Sequence, residues 1–305
     1  MAKKLKFPEG FLWGSSTSAH QVEGNNRNNW SEWEKENAKR LAKTAKDKWA
    51  GWQQEKFPEM FQPENYISGQ ACDHYNRYEK DFDIIQKLGH NAHRFSIEWS
   101  RIEPEEGKFN EKEIEHYRKV ILALREKEIE PFITLWHWTN PLWLTKKGGE
   151  LSQDFPQYFL RYTKLIVSEL GDLVNFWITI NEPTSVIANS YVNGVWPPQK
   201  RNLLLALKVY KNLAKAHNKA FDGIHKIYPK AKVGLANILT FYEAYNDKSI
   251  LDKITVRVAR YLVNEKFLNL TKGKHDFLAV QYYFHNRLKF IGKVENKNKI
   301  ISDLG

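Results

Sequence analysis

Short apolar runs alternate along the chain with longer amphipathic segments. Most of the short runs contain β-branched or aromatic side chains, which predicts β-strands. The predicted strands are residues 11–15, 91–97, 131–136, 175–180, 232–236 and 277–282.

The longer segments have the spacing of amphipathic helices. In one of them Tyr75, Tyr78, Phe82 and Ile85 recur every three or four residues, and Gly89 follows as a helix stop. The predicted helices are residues 74–88, 111–127, 155–170, 203–227 and 254–270.

This alternation predicts parallel strands joined by crossover helices, in either an open doubly wound sheet or a closed eightfold barrel. No glycine-rich dinucleotide loop follows the first strand. Polar and aromatic residues instead follow several strands, as in barrel active sites. We therefore predict one α/β domain over residues 1–305, of the (β/α)8 TIM-barrel type, with residues 24–70 inserted in the first βα loop.

Composition adds little to this picture. The 11 Trp, 14 Tyr and 17 Phe fit either a large aromatic core or a pocket for ring-shaped ligands. The net charge of +11 is spread over helical segments in which lysines stand near acidic residues, with no basic run interleaved with aromatics. This distribution predicts a solvated cationic surface and no nucleic-acid partner.

Cysteine usage and hydropathy further narrow the classes of protein to which this chain can belong. The single cysteine, Cys72, permits no disulfide within the chain, and no zinc-ligand spacing occurs. The basic residues 1–8 precede no apolar signal segment, and no apolar run reaches the length of a membrane span. We predict a cytoplasmic protein with no membrane partner, no metal and no cofactor.

Glu182 is the strongest catalytic candidate. It follows the apolar run 177–180 and Asn181, and Pro183 then ends the strand. A carboxyl group at the end of a buried strand can have a raised pKa, as a general acid requires. The alternative is a glutamate that caps a turn or pairs with a cation.

Other polar residues follow strands in the same way. His137 and Trp138 end the third predicted strand, and Gln21 follows the first. A histidine, an indole face and an amide suit sugar hydroxyls and C–H groups, although each is also common as a structural residue. Arg94 lies in a strand and needs a carboxylate partner, either Glu98 or a catalytic group.

Tyr282 and Tyr283 end the last predicted strand. Because successive side chains of a strand point to opposite faces, one of these tyrosines should point inward where the other points outward. Either of them fits a core position equally well, so their spacing alone assigns no role.

Together these segments resemble glycoside hydrolase family 1, the β-glucosidase and β-galactosidase family. The matching motifs occur in the family's order over nearly the whole chain. They are FLWGS at 11–15, HQVEG at 20–24, RFSIEWSR at 94–101, LWHW at 135–138, NEP at 181–183 and DFLAVQYY at 276–283.

The resemblance implies a role for each matching residue. Glu182 is the implied acid/base, and Asn181 holds the sugar 2-hydroxyl. Gln21 and His137 bind other hydroxyls, with Trp138 beside them. Two further residues, Arg94 and Tyr283, are expected to touch the nucleophilic carboxylate.

Two departures from the family shape the functional expectation. Gln281 stands where the family usually has Asn, and the I-T-E-N-G nucleophile motif of strand seven is absent, as is the Trp- and Glu-bearing loop after strand eight. The resemblance therefore predicts an incomplete barrel with strands 1–6 present and strands 7–8 missing.

We accordingly predict a retaining β-glycosidase that acts on β-linked glycosides and has its acid/base Glu182 but not its nucleophile. Such a chain is expected to be inactive or weak unless a second chain carrying strands 7–8, or self-association, completes it. Two alternatives stay open. One is a carbohydrate-binding remnant without hydrolysis, and the other is an inverting enzyme with a second carboxylate such as Glu98.

Overall fold

The computed structural model describes residues 6–290 and 294–296. The chain forms two compact units, which are described separately. The first contains Met1–Thr145 and Ser168–Phe176, and the second contains Lys146–Val167 and Trp177–Gly305. The prediction of one domain over residues 1–305 stays a prediction.

Strands and helices alternate in both units. The strands are β1 Gly14–Ser16, β2 Ala92–Ser96, β3 Glu130–Trp136, β4 Phe176–Asn181, β5 Lys232–Ala244, β6 Phe277–Leu288 and β7 Val294–Asn296. The α-helices are α1 Ala19–Val22, α2 Asn29–Lys48, α3 Gly51–Lys56, α4 His74–Lys87, α5 Trp99–Ile102, α6 Glu111–Glu126, α7 Leu142–Lys146, α8 Phe155–Leu170, α9 Pro183–Val186, α10 Leu203–Ile227, α11 Ile250–Arg260 and α12 Lys266–Leu270. Short 3-10 segments lie at Pro58–Phe61, Pro63–Tyr66, Gly149–Leu151 and Gly171–Leu173, and π-helical segments at Ile187–Val192 and Tyr261–Glu265.

In the first unit β1, β2 and β3 pair in parallel and in chain order. Gly14 is required in β1 because a Cβ at this position would come within 2.3 Å of the Ala92 carbonyl oxygen. Helices α4 and α6 contribute Phe82 and Tyr117 to the buried core, and β3 contributes Trp136. The parallel pairs and crossover helices confirm the predicted α/β class.

In the second unit β5 and β6 pair in parallel, and β7 pairs antiparallel with the end of β6. The core of this unit contains buried aromatic residues from β4 and from helices α8 and α12, including Trp177, Phe159 and Phe267. Asn202 caps α10 by accepting hydrogen bonds from the backbone amides of Leu204 and Leu205.

The structure corrects several predicted boundaries. Strand β1 begins only at Gly14, because the apolar side chains before it form an exposed cluster of Phe7, Phe11 and Trp13. Strands β5 and β6 run on to Ala244 and Leu288, beyond the apolar runs that predicted them. The helix predicted over residues 254–270 starts earlier, because Ser249 caps α11, and a π-helical segment separates it from α12.

The exposure of the two tyrosines of β6 differs from the sequence prediction, in which either of them could be a core residue. Tyr282 and Tyr283 are 57% and 52% exposed, so neither is a core residue among the described parts of the chain. Their side chains point to opposite faces of β6, and both faces are accessible. The sequence of β6 therefore has the apolar pattern of a buried strand, whereas its side chains are largely exposed in the structure.

Candidate active site

A cavity of about 160 Å³ lies in the first unit, where the chain leaves β1 and β3. Gln21 in α1 and His137 and Trp138 directly after β3 all line it, so three of the predicted site residues come together. The full lining is Ser18, His20, Gln21, Trp30, Glu34, Ser68, His137, Trp138 and Thr139.

The imidazole of His137 is neutral near physiological pH. Burial, together with the charge of Arg94, lowers the pKa of His137 to about 3. A neutral imidazole has one nitrogen that donates and one that accepts. His137 can therefore either donate a hydrogen bond to a hydroxyl group or accept one from it.

Trp138 has an unusual backbone conformation. Its φ is +76°, in the left-handed region that non-glycine residues rarely adopt. Its indole stacks on that of Trp30 with ring centroids 6.3 Å apart and an interplanar angle of 27°. Backbone strain of this kind costs on the order of 1–3 kcal/mol and clusters at functional sites.

The first βα loop positions Gln21. The hydroxyl of Ser18 donates to Gln21 Oε1 at 2.7 Å, which orients the amide, and the backbone amide of Ala19 donates to Ser96 Oγ of β2. The Gln21 side chain itself is exposed. The Ser18 hydroxyl occupies the side-chain oxygen of Gln21 and thereby fixes the direction in which the side-chain nitrogen points.

Residues of the 24–70 insertion complete the cavity. The sequence analysis did not predict this contribution. Glu34 Oε1 lies 2.9 Å from His20 Nε2, and its carboxylate accepts from the hydroxyl and backbone amide of Ser68. Burial alone would raise the pKa of Glu34, but these hydrogen bonds outweigh it and the pKa is lowered. The only sequence signal was the helical spacing of Trp30 and Glu34, which does not show that their face meets a pocket.

Glu182 and Asn181 lie at the C-terminal end of β4, in the second unit. Both side chains are buried, at 6% and 1% exposure. The backbone amide of Glu182 donates to the Ala236 carbonyl at 2.7 Å, and the Ser185 hydroxyl donates to Glu182 Oε2 at 2.7 Å. The φ of Glu182 is +42°, so the chain turns sharply into α9 at the predicted acid.

The two residues that the resemblance associates with a nucleophile lie on different strands. Arg94 is on β2, where its Nε donates to Thr134 Oγ1 at 2.9 Å. Tyr283 is on β6, where its hydroxyl accepts from Gln281 Nε2 at 3.2 Å. The roles predicted for both residues stay predictions.

Glu98, the alternative second carboxylate, has a different environment from the one its sequence suggested. It is 1% exposed and caps α5, with Oε1 accepting from the Ser100 hydroxyl at 2.7 Å and Oε2 from the Thr139 hydroxyl at 3.0 Å. A base that activates water needs access to that water. This environment favours a structural function for Glu98.

Three general features bear on the classes of ligand and partner. Over residues 6–290 and 294–296, no cluster of three or more His, Cys, Asp or Glu side chains has the arrangement of a metal site. The helices in this part of the chain are all too short or too polar to cross a membrane. The described Cys72 is a free, exposed thiol.

Comparison with known proteins decides the family. The sequence profile of Glycosyl hydrolase family 1 matches residues 3–269. The chain belongs to this family. The matched residues include the segments around Gln21, Arg94, His137 and Glu182, whereas the β6 segment with Tyr283 lies beyond them.

Family 1 relatives cover most of this chain. A 1,4-beta-D-glucan glucohydrolase from Thermotoga neapolitana is 35% identical over 91% of it, and Beta-glucosidase A from Thermotoga maritima is 35% identical over 80%. The chain spans 62% and 51% of the length of these two relatives.

Solved family 1 structures share the fold. A beta-glycosidase from Pyrococcus horikoshii superposes with a TM-score of 0.80 at 35% identity, covering 96% of this chain and 67% of the other. The Thermotoga maritima beta-glucosidase in complex with deoxynojirimycin gives 0.80 at 30% identity, over 95% of this chain and 70% of the other. The fold is therefore the α/β (β/α)8 type of this family, as predicted, with β1, β2 and β3 paired in parallel in the first unit and β5 and β6 in the second.

Proposed function

We propose that this chain carries the acid/base half of a retaining β-glycosidase, with Glu182 as the general acid and the nucleophile outside these 305 residues. The observation that supports this most directly is the environment of Glu182. It is a buried carboxyl group at the C-terminal end of β4, a strand of this α/β fold, and it accepts a hydrogen bond from the Ser185 hydroxyl. A catalytic carboxyl is expected at this end of such strands.

In the proposed reaction two carboxyl groups act from opposite sides of the glycosidic bond, about 5–5.5 Å apart. Glu182 protonates the departing oxygen while the second carboxylate attacks the anomeric carbon. Water then attacks this glycosyl–enzyme ester, and Glu182 removes the water's proton. For the first step Glu182 must be protonated near neutral pH, so a raised pKa stays part of the proposal.

The remaining assigned residues bind the sugar. Gln21 and the neutral His137 form hydrogen bonds with hydroxyls, and Trp138 offers an indole face in the same cavity. Asn181 is assigned to the 2-hydroxyl next to Glu182. We assign Arg94 and Tyr283 to the incoming nucleophile.

The proposal includes completion by a second polypeptide, with self-association as its alternative. Strand β6 is exposed on both faces, although strands of parallel α/β sheets are normally covered. A chain that supplies strands 7–8 would cover it. The predicted cytoplasmic location is part of the same proposal and rests on the sequence alone.

Hydrolysis of 4-nitrophenyl β-glucoside and of methyl β-glucoside tests the assignment. The assay compares the chain alone with the chain mixed with the C-terminal third of the Pyrococcus horikoshii beta-glycosidase. We expect negligible turnover alone and activity in the mixture. Retaining hydrolysis by the monomeric chain alone, at roughly 1–10³ per second, would refute an external nucleophile.

Replacing Glu182 by Gln tests the acid. In the active mixture this change should lower kcat/KM, which reports formation of the glycosyl–enzyme ester, by roughly 10²–10⁴-fold for methyl glucoside and by less for nitrophenyl glucoside, since nitrophenolate departs without a proton. The exposed Glu169→Gln serves as the matched control. Equal losses for both substrates would exclude Glu182 as the acid.

The carbohydrate-binding alternative has one observation in its favour. The cavity around Gln21, His137 and Trp138 is formed within the first unit and needs no catalytic carboxylate. Tight binding of deoxynojirimycin by the chain, combined with no hydrolysis in any mixture, would favour this alternative.

A further inference from the structure

We propose that Glu98 is a positioning residue that holds Trp138 in its left-handed conformation through the hydroxyl of Thr139. The indole of Trp138 is thereby kept in the cavity beside Trp30. The positioning itself rests on hydrogen bonds and backbone geometry, whereas its consequence for ligand binding rests on the proposed function of the cavity.

The strain in the loop is localised at Trp138. Strand β3 ends at Trp136 and α7 begins at Leu142, so the chain reverses within a few residues. Trp138 takes the left-handed conformation in this turn, with a φ of +76°. A bulky residue keeps such a conformation only where its neighbours fix the chain on both sides.

On the C-terminal side, Asn140 is fixed by three hydrogen bonds. Its backbone amide donates to Asn29 Oδ1 at 2.6 Å, and its carbonyl accepts from the Asn29 amide at 3.1 Å. Its side-chain oxygen accepts from the Trp136 indole at 3.0 Å. The backbone is therefore anchored at Trp136 and Asn140, and the residues between them remain to be positioned.

Thr139 provides the contact next to Trp138. Its side chain is 6% exposed, and its hydroxyl donates to Glu98 Oε2 at 3.0 Å. Hydrogen bonds to a carboxylate oxygen are among the stronger ones in proteins. This bond fixes the residue that directly follows the strained one.

Glu98 is itself rigidly held. Its Oε1 accepts from the hydroxyl of Ser100 at 2.7 Å, and its backbone amide donates to the hydroxyl of Tyr117 at 3.0 Å. The Tyr117 hydroxyl in turn donates to Glu23 Oε1 at 2.7 Å. Glu98 thus connects the core of the first unit with the strained loop, and it is not among the residues that line the cavity.

The test compares Thr139→Val, which removes the hydroxyl at nearly constant shape, with Thr139→Ser, which retains it. Crystal structures report the φ of Trp138, and isothermal titration with deoxynojirimycin reports binding. We expect Thr139→Val to release Trp138 from the left-handed region and to weaken binding by roughly tenfold or more. The Ser variant, which keeps the hydroxyl, should keep the φ of Trp138 that the parent chain has.

The outcomes separate this proposal from the proposed function. An unchanged Trp138 conformation in Thr139→Val overturns the positioning role of Glu98. A released Trp138 with unchanged affinity supports the positioning role and refutes the cavity as the sugar site. If the Val variant does not fold, Thr139→Ala replaces it, because alanine also removes the hydroxyl that donates to Glu98, and the same two measurements apply.

Discussion

Replacing His217 by Gln should remove a defined part of the acid sensitivity of this protein. His217 is fully buried in α10, with Nδ1 2.6 Å from Thr179 Oγ1 and Nε2 2.7 Å from the Lys274 carbonyl oxygen. Burial, and the nearby ring of His275, lower the pKa of His217 from 6.5 to about 3. The folded protein therefore holds this ring neutral where the unfolded chain is already protonated.

The sign and size of the effect follow from linkage. Between pH 6.5 and about 3 the unfolded chain binds the additional proton, so stability falls as the pH is lowered through this window. Each pH unit is worth about 1.36 kcal/mol, which gives about 2 kcal/mol for His217 at pH 5. Gln retains an amide donor for the Lys274 carbonyl but does not titrate.

Urea unfolding followed by circular dichroism, from pH 7.5 to 5.0, measures how the free energy of unfolding changes with pH. The Gln variant should be less stable at pH 7.5, and its deficit should shrink by about 2 kcal/mol on going to pH 5.0, at an unchanged m value. The exposed Lys211→Gln on the same helix is the control and should show a constant difference. A constant difference for the His217 variant as well would refute the reasoning.

Two further predictions concern backbone geometry. Trp138→Ala should be less stable than Trp138→Gly by about 1 kcal/mol, because only glycine accepts the φ of +76° without strain; equal melting temperatures would contradict this. Gly234→Ala should destabilise the chain by about 1–3 kcal/mol, since its Cβ would come within 2.4 Å of the Phe277 carbonyl oxygen. Gly51→Ala, with open space around its Cβ, is the control, and a Gly234 variant as stable as this control would exclude the close contact.

Sequence reasoning was most successful where burial has a local signature. The strands that end before His137 and at Asn181 were predicted to within a few residues, because a strand buried on both faces has a continuous apolar run. It failed at β1, where apolar residues cluster on the surface, and it ended β5 and β6 too early, although the end of β5 contains Ile238, Phe241 and Tyr242. Strand pairing there depends on a neighbouring strand and not on the local pattern.

The residues of the candidate site also fall into those that the sequence predicted and those that it did not. The sequence by itself determined the family motifs and therefore which residues stand at strand ends: Gln21, His137, Trp138, Asn181 and Glu182. It could not show which face of the 24–70 insertion meets the cavity, so Trp30, Glu34 and Ser68 were missed.

Only the tertiary structure decided what surrounds each charged group. Glu98 could be a catalytic carboxylate or a partner of Arg94 on the sequence evidence, and the structure gives it Ser100 and Thr139 instead. The strained conformation of Trp138 likewise has no signature in the order of residues. The physical reason is that hydrogen-bond partners such as Glu98 and Thr139 lie far apart along the chain, whereas periodicity reports only the burial of each segment.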